Sequence, residues 1–328
     1  MLAGSRVVSE DAFAESVQDQ LAVIEERLLE RAGGHTELVS QAAQHIINAG
    51  GKRFRPALVV LASHFGGDVD EEDLTRAALV VELTHVASLY HDDVMDDADL
   101  RRGAPSANRQ WQNSVAILVG DFLFARASTT VAELGVDYVL LQAETFARLV
   151  HGQIAETVGP ADDEDPLEHY LQVVADKTGS LIATSALFGG MVAGADAATR
   201  ETLRRFGEEI GIIFQLSDDI IDVTSEVTGK TPGTDLREGI PTLPILLALR
   251  STDPADRRLK DLIHSDLSDE AALAETIDLL RAHPAIDQAR AEVARRADVA
   301  REFLAPLPAG PAKDALLALC DQVVTRSS

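Results

Sequence analysis

The sequence predicts an all-α protein: a single domain, residues 1–328, built from long packed helices. Three observations predict it. Apolar residues recur at helical spacing along most of the chain, and nothing alternates with period two for long enough to make a sheet. Aromatics make up only 4% of a composition that is 46% hydrophobic. A core of Leu, Val, Ile and Ala suits helices, whereas a strand-rich sandwich draws on Tyr, Trp and Thr.

Each helix is marked in turn. Leu21, Ile24, Leu28 and Leu29 make one apolar face, with Glu25, Glu26 and Arg27 around it. "HTELVSQAAQHIINAGG" is a second helix, stopped by Gly50 and Gly51. "RPALVVLASHFGG" is a third, with Pro56 suited to its first turn. "DEEDLTRAALVVELTHVASLYHDDVMD" reads as one long helix whose acidic start matches the positive end of the helix dipole. Further helices are expected over residues 113–134, 137–158, 166–194 and 197–226, with shorter ones after Pro241. The breaks are short, and no repeat or low-complexity linker marks a domain boundary. Residues 1–10 are expected to be disordered.

The net charge of −25 argues against nucleic acid and anionic lipid as partners. An anionic substrate would need metal ions or a local nest of Arg and Lys. Cys320 is the only cysteine, which rules out an intrachain disulfide and suits a reducing compartment. The first twenty residues show no apolar signal core, and the weakly polar stretch from Ser180 to Gly194 is too short and polar to span a bilayer. A cytoplasmic protein without stable membrane insertion is therefore expected.

The acidic residues are not all alike. "DVDEED" (68–73) and "ADDEDP" (161–166) have polar neighbours and turn residues, the mark of solvated charge runs. Asp92, Asp93 and Asp96 instead follow "LTHVASLY" on a mainly apolar helix. Asp92 and Asp96, four residues apart, share one helix face, roughly 6 Å apart along the axis. Such carboxylates repel unless a cation bridges them, and Mg²⁺ is typically held by one or two carboxylates plus substrate phosphates. The pattern recurs as Asp218, Asp219 and Asp222 in "FQLSDDIIDV". Two such rows, facing each other, suit a cluster of divalent cations around a diphosphate. The chain uses 24 Arg against five Lys, and three of the five, Lys52, Lys177 and Lys230, lie in Gly- or Thr-bearing stretches that look like phosphate sites.

With these residues assembled, the sequence resembles the trans-isoprenyl diphosphate synthases, or polyprenyl synthetases. The matching pieces run in order from about Gly51 to Pro244: "GGKRFRP", "HDDVMDDADLRRGAPSAN", "GDFLFARA", "DKTGSLIATS", "FQLSDDIID" and "GKTPGTDLREGIPTLP". The resemblance implies an all-helical fold around a central cavity, a homodimer, and head-to-tail condensation of isopentenyl diphosphate onto an allylic diphosphate. It makes Asp92, Asp93, Asp96, Asp218, Asp219 and Asp222 the holders of Mg²⁺, three ions with diphosphate bound, Mn²⁺ being an alternative. It places Lys52, Arg55, His85 and Arg102 on isopentenyl diphosphate, and Arg101, Lys177, Thr178, Gln215 and Lys230 on the allylic side. The Thr178 carbonyl and Gln215 would steady the allylic cation, and the released diphosphate would take the proton.

In this family bulky aromatics one turn before the first aspartate motif close the product tunnel. Ala87 and Ser88 stand there instead, which implies a long product of about C35–C50, a quinone side chain, in a cavity sized by its lining. Phe122, Phe124 and Phe146 are candidates for a floor on another helix. Three departures stand out: Thr234 where short-chain members have lysine, Tyr90 where an aliphatic residue is expected, and a short segment from Asp222 to Lys230. The rival readings are a shorter-chain synthase (farnesyl or geranylgeranyl), a noncatalytic tunnel-shaping subunit and a class I terpene cyclase. The second "DDIID" and "GGKRFRP" argue against the cyclase, and retention of all six aspartates argues against the noncatalytic subunit.

Overall fold

A computed structural model describes residues 10–224 and 233–326. Lys230 and residues 1–9, most of the stretch expected to be disordered, lie outside the described residues. Helix α1 (Glu10–Ala32) starts at once, followed by α2 (Glu37–Asn48), α3 (Phe54–Ser63) and α4 (Glu71–Met95). Then come a two-stranded hairpin, β1 (Leu100–Arg101) and β2 (Ala104–Pro105), and the helices α5 (Ala107–Ala132), α6 (Val136–Val158) and α7 (Pro166–Val174). A five-residue π-helical turn, Ala175–Gly179, joins α7 to α8 (Ser180–Val192) and replaces part of the unbroken helix expected over 166–194. The chain continues through α9 (Ala197–Thr224), α10 (Thr234–Glu238), α11 (Leu243–Arg250), α12 (Arg257–Ile263), α13 (Glu270–Arg281), α14 (Pro284–Leu304) and α15 (Pro311–Arg326). The all-α reading holds, and the hairpin is the one sheet among the described residues.

Both acidic runs set aside as solvated charge are helix caps. Asp70 accepts from the backbone N–H groups of Glu72 and Asp73, each at 3.0 Å, and starts α4. Asp165 accepts from Leu167 at 2.8 Å and starts α7, with Pro166 in its first turn.

The chain folds into two compact units, each assembled from three stretches, so no linker composition marks a boundary. The first comprises Met1–Ala147, Leu181–Arg204 and Pro306–Ala315. Its core includes Leu28, Ile46, Leu58, Val80, Leu83, Leu123 and Phe188, all fully or almost fully buried. Within it, α4 and α5 run in close contact: a Cβ on Gly120 of α5 would overlap the His91 ring and stand 3.2 Å from the Ala87 carbonyl oxygen. The second unit comprises Arg148–Ser180, Arg205–Ala305 and Leu316–Ser328. Val223, Leu236, Ile245, Leu273, Ile277 and Leu280 form one of its apolar clusters.

Among the described residues one helix, α5, is long and apolar enough to cross a membrane, by length and composition only. It is not the Ser180–Gly194 stretch weighed above, whose α8 buries Leu181, Ile182, Ala186 and Phe188.

Candidate active site

The first aspartate motif ends α4. Asp92 is half-buried, Asp96 is exposed, and Asp93 is fully buried. Helix geometry explains the split: positions four apart share a face, while the adjacent residue is turned about 100° away. Arg101, from β1, donates through Nε to Asp93 Oδ1 at 2.7 Å and through Nη2 at 2.5 Å. The second Asp93 oxygen is buried with no partner. Burial pushes this carboxyl up, and the Arg101 charge opposes the shift. The family resemblance implies that Arg101 binds the allylic diphosphate; here its guanidinium is engaged with Asp93.

The hairpin positions both arginines of "RRG". Arg102 and Gly103 occupy its turn with φ of +54° and +79°, as a two-residue hairpin loop requires. The Arg102 side chain folds back to donate to the carbonyls of Ile46, at 3.0 Å, and Gly50. It thereby joins Arg55 and His85 in one cationic cluster of the first unit. Burial pushes the Arg55 guanidinium down to about 10 and also lowers Arg102. His85 is held well below its ordinary range, first by burial and then by Arg55, Arg102, Arg101 and Arg53, so it is neutral at pH 7. A neutral imidazole beside guanidinium groups suits an anion that accepts hydrogen bonds. Lys52, at the edge of this cluster in sequence, is exposed.

The second motif repeats the division. Asp218 and Asp222 are half-buried, while Asp219 is only 2% exposed. Tyr170 of α7 donates its hydroxyl to Asp219 Oδ2, and Gln215 Nε2 donates to Asp219 Oδ1 at 3.0 Å. The Thr178 hydroxyl donates to Gln215 Oε1 at 3.4 Å, completing a chain from the π-turn to the motif. The turn is set by close approach: a Cβ on Gly152 of α6 would stand 2.6 Å from the Lys177 backbone nitrogen. Lys177 Nζ is paired with Glu156 Oε2 at 2.5 Å. Arg326, near the end of α15, donates to Asp218 Oδ1 at 2.6 Å and lies over the Phe214 ring. Gly152→Ala is expected to cost about 1–3 kcal/mol, because backbone rather than a flexible side chain must move. Denaturant unfolding measures it, and an unchanged midpoint would contradict the close packing.

Asp219 also makes a pH prediction. Burial pushes its carboxyl up to about 7, against the pull of the Tyr170 and Gln215 hydrogen bonds. Between its ordinary value of about 4 and about 7 the folded protein keeps a proton that the unfolded chain has lost. The group's contribution is thus fully present below about pH 4 and is lost as pH rises through 7. Metal-free protein is expected to lose of order 4 kcal/mol from this source, and Asp219→Asn to remove that part of the slope. Urea titrations at several pH values in chelator test it; parallel profiles for the two proteins would refute it.

Among the described residues no three His, Cys, Asp or Glu side chains close around a single point to hold a metal ion. What each motif offers is a pair of carboxylates on one face, a hard all-oxygen set that fits Mg²⁺ or Ca²⁺ with substrate oxygens and water completing the shell.

Glu82, Arg53, Tyr170, Glu156 and Arg326 were not foreseen as site residues. Glu82 left a signal, a lone acid inside the apolar run "ALVVELTHVASLY". Tyr90, the departure from an aliphatic residue, serves packing between helices. It is fully buried, donates its hydroxyl to the Ala42 carbonyl and accepts from Ile46 N at 3.4 Å, so it pins α4 to α2. Thr234 opens α10 beside Gly233, whose N–H donates to the Asp222 carbonyl at 3.0 Å.

The pattern of the polyprenyl synthetase family matches residues 36–280. The chain belongs to the polyprenyl synthetase family. It is 47% identical to nonaprenyl diphosphate synthase of Mycobacterium tuberculosis over 316 residues, 96% of this chain and 94% of that one. Among solved structures, geranylgeranyl pyrophosphate synthase of Corynebacterium glutamicum, complexed with calcium and isoprenyl diphosphate, is 43% identical with a TM-score of 0.87, covering 99% and 100% of the two chains. Polyprenyl synthase of Caulobacter crescentus, with the same ligands, is 32% identical with a TM-score of 0.89, covering 99% and 100%. The fold is that of the isoprenoid synthases, and the chain is an enzyme of the prenyltransferase class.

Proposed function

We propose that this polyprenyl synthetase condenses isopentenyl diphosphate head-to-tail onto an allylic diphosphate and repeats the step to a long all-trans product, a quinone side-chain precursor. The observation that carries this is the repeated division of labour in the two motifs: an accessible i, i+4 carboxylate pair beside a buried aspartate fixed by its own donors. Asp92 with Asp96, and Asp218 with Asp222, would hold Mg²⁺ with the allylic diphosphate, three ions in our reading, and Mn²⁺ would be able to replace it. Bound divalent ions supply charge stabilisation to the departing diphosphate.

The chain's own residues do the rest. Lys52, Arg55, His85 and Arg102 hold the diphosphate of isopentenyl diphosphate and orient its double bond. Lys177, Lys230 and Arg101 are assigned to the allylic diphosphate; Lys177 would exchange its Glu156 partner and Arg101 its Asp93 partner for phosphate oxygens. The allylic C–O bond breaks, the double bond of isopentenyl diphosphate attacks to form the new C–C bond, and the proton lost passes to the released diphosphate. The Thr178 carbonyl and Gln215 steady the cation in between.

The nonaprenyl diphosphate synthase relative supports a product within about C35–C50, and the geranylgeranyl synthase structure is the precedent for a shorter one. The active form is a homodimer. In support, α6 exposes Val136, Leu140, Ile154 and Val158 along one face, and α5 exposes Leu118. Purified protein incubated with Mg²⁺, labelled isopentenyl diphosphate and farnesyl diphosphate is expected to give a chelator-sensitive ladder ending in one long product by chromatography. No condensation at all would favour the noncatalytic subunit.

A further inference from the structure

Glu82 carries a carboxylate that is 2% exposed in the middle of an apolar helix. Such a group is unfavourable unless paired. Its partner is Arg53, whose Nη1 donates to Glu82 Oε1 at 3.2 Å. The same guanidinium donates to the Ile47 carbonyl at 2.9 Å and to both carboxylate oxygens of Glu25. One side chain thus ties α1, the end of α2 and α4 together. Its own backbone is left-handed, φ +46° and ψ +38°, a region unfavourable for a residue with a side chain. No side-chain cap holds that position, so the turn is held by the tertiary partners of the Arg53 side chain. Lys52 precedes the turn and Arg55 follows it by two residues.

Charge leads to the same pair. The Arg55 Nε is buried with no partner, and the Arg55 and Arg102 guanidinium groups repel each other. The Glu82 charge favours the protonated state of both. His85 lies one turn further along α4 on the same face. The carboxylate therefore sits behind the cluster and offsets its self-repulsion.

We infer that Glu82 and Arg53 are positioning residues for isopentenyl diphosphate: the buried pair fixes the turn that presents Lys52 and Arg55 and lets the cationic cluster stay packed before the diphosphate arrives. This rests on the proposed function, and it assigns a role to two residues that are not themselves expected to touch the substrate.

The test compares wild type with Glu82→Gln, which keeps size and one acceptor but removes the charge, and with Arg53→Lys, which keeps the charge but loses the fork. Each is expected to raise KM for isopentenyl diphosphate about tenfold, with kcat and the allylic KM within about twofold. Calorimetric binding of isopentenyl diphosphate in chelator is expected to weaken in parallel. Should Glu82→Gln fail to fold, Arg53→Lys decides. An isopentenyl diphosphate KM within twofold of wild type in the folded variants overturns the inference. So does a joint loss of kcat and both KM values with a lowered Tm, the mark of general destabilisation. Condensation by wild type in the same assay reports on the proposed function separately.

Discussion

Asp92→Asn is expected to lower kcat about a thousandfold or more while leaving the unfolding midpoint within a degree or two of wild type. Asp92 is half-buried at the last turn of α4, and the role proposed for it is to offer anionic oxygen to a cation rather than to pack. Asparagine keeps the shape and removes the charge, so a loss of activity without a loss of stability assigns the carboxylate to chemistry. Asp218→Asn should behave alike, and it also removes the charge that pairs with Arg326 at 2.6 Å. Asp93→Asn is the contrast. It leaves Arg101 beside a neutral amide at a fully buried position, and a stability loss of about 2–4 kcal/mol is expected. Steady-state kinetics together with denaturant unfolding separate the three. Equal kinetic losses with equal stabilities would show that the buried and accessible aspartates do the same job.

Ala87→Phe is expected to shift the dominant product from about C35–C50 to about C20 or shorter, a change of several condensation cycles from one side chain. Ala87 is fully buried one turn before Asp92, and its carbonyl oxygen would stand 3.2 Å from a Cβ on Gly120 of α5. The Ser88 hydroxyl turns back to its own helix, donating to the His85 carbonyl at 2.8 Å, so its side chain adds little bulk. Phe124 and Phe146 pack on each other with ring centroids 4.4 Å apart, and Phe124 also meets His91. These two rings are the candidates for a floor, whereas Phe122 lies under Arg126. Product chromatography decides. An unchanged product in a folded Ala87→Phe protein would move the length determinant to that aromatic pair, where Phe124→Ala should then lengthen the product.

The features legible in the sequence were those set by local rules. Helix spans follow from apolar spacing, and the i, i+4 carboxylate pairs follow from helix geometry, so the two motifs could be found before any fold was known. The acidic runs at 68–73 and 161–166 were rightly set aside, since a cap needs only neighbouring backbone N–H groups. What stayed hidden depends on partners distant in the chain. That Tyr170 holds Asp219, and that Lys177 meets Glu156, rests on residues far apart in the sequence. Gly152 permits the approach of α6 to the π-turn, and no periodicity announces it. Tyr90 departs from the aliphatic residue expected at its position, and its hydroxyl partner on α2, which gives it a bracing role, is not visible in the sequence. Arg53 sat inside a quoted motif without a role, since a left-handed backbone at arginine cannot be read from residue type.

Both carboxylate pairs are proposed to bind divalent ions together with diphosphate. Equilibrium binding of Mn²⁺ in the presence of inorganic pyrophosphate, followed by the loss of free-ion paramagnetic resonance signal, tests it most directly. Wild type should bind the ions tightly only with pyrophosphate, and Asp92→Asn and Asp218→Asn should each weaken that binding at least tenfold. If Asp218→Asn binds Mn²⁺ and pyrophosphate as wild type does, the second motif has no part in the metal site and the account is wrong.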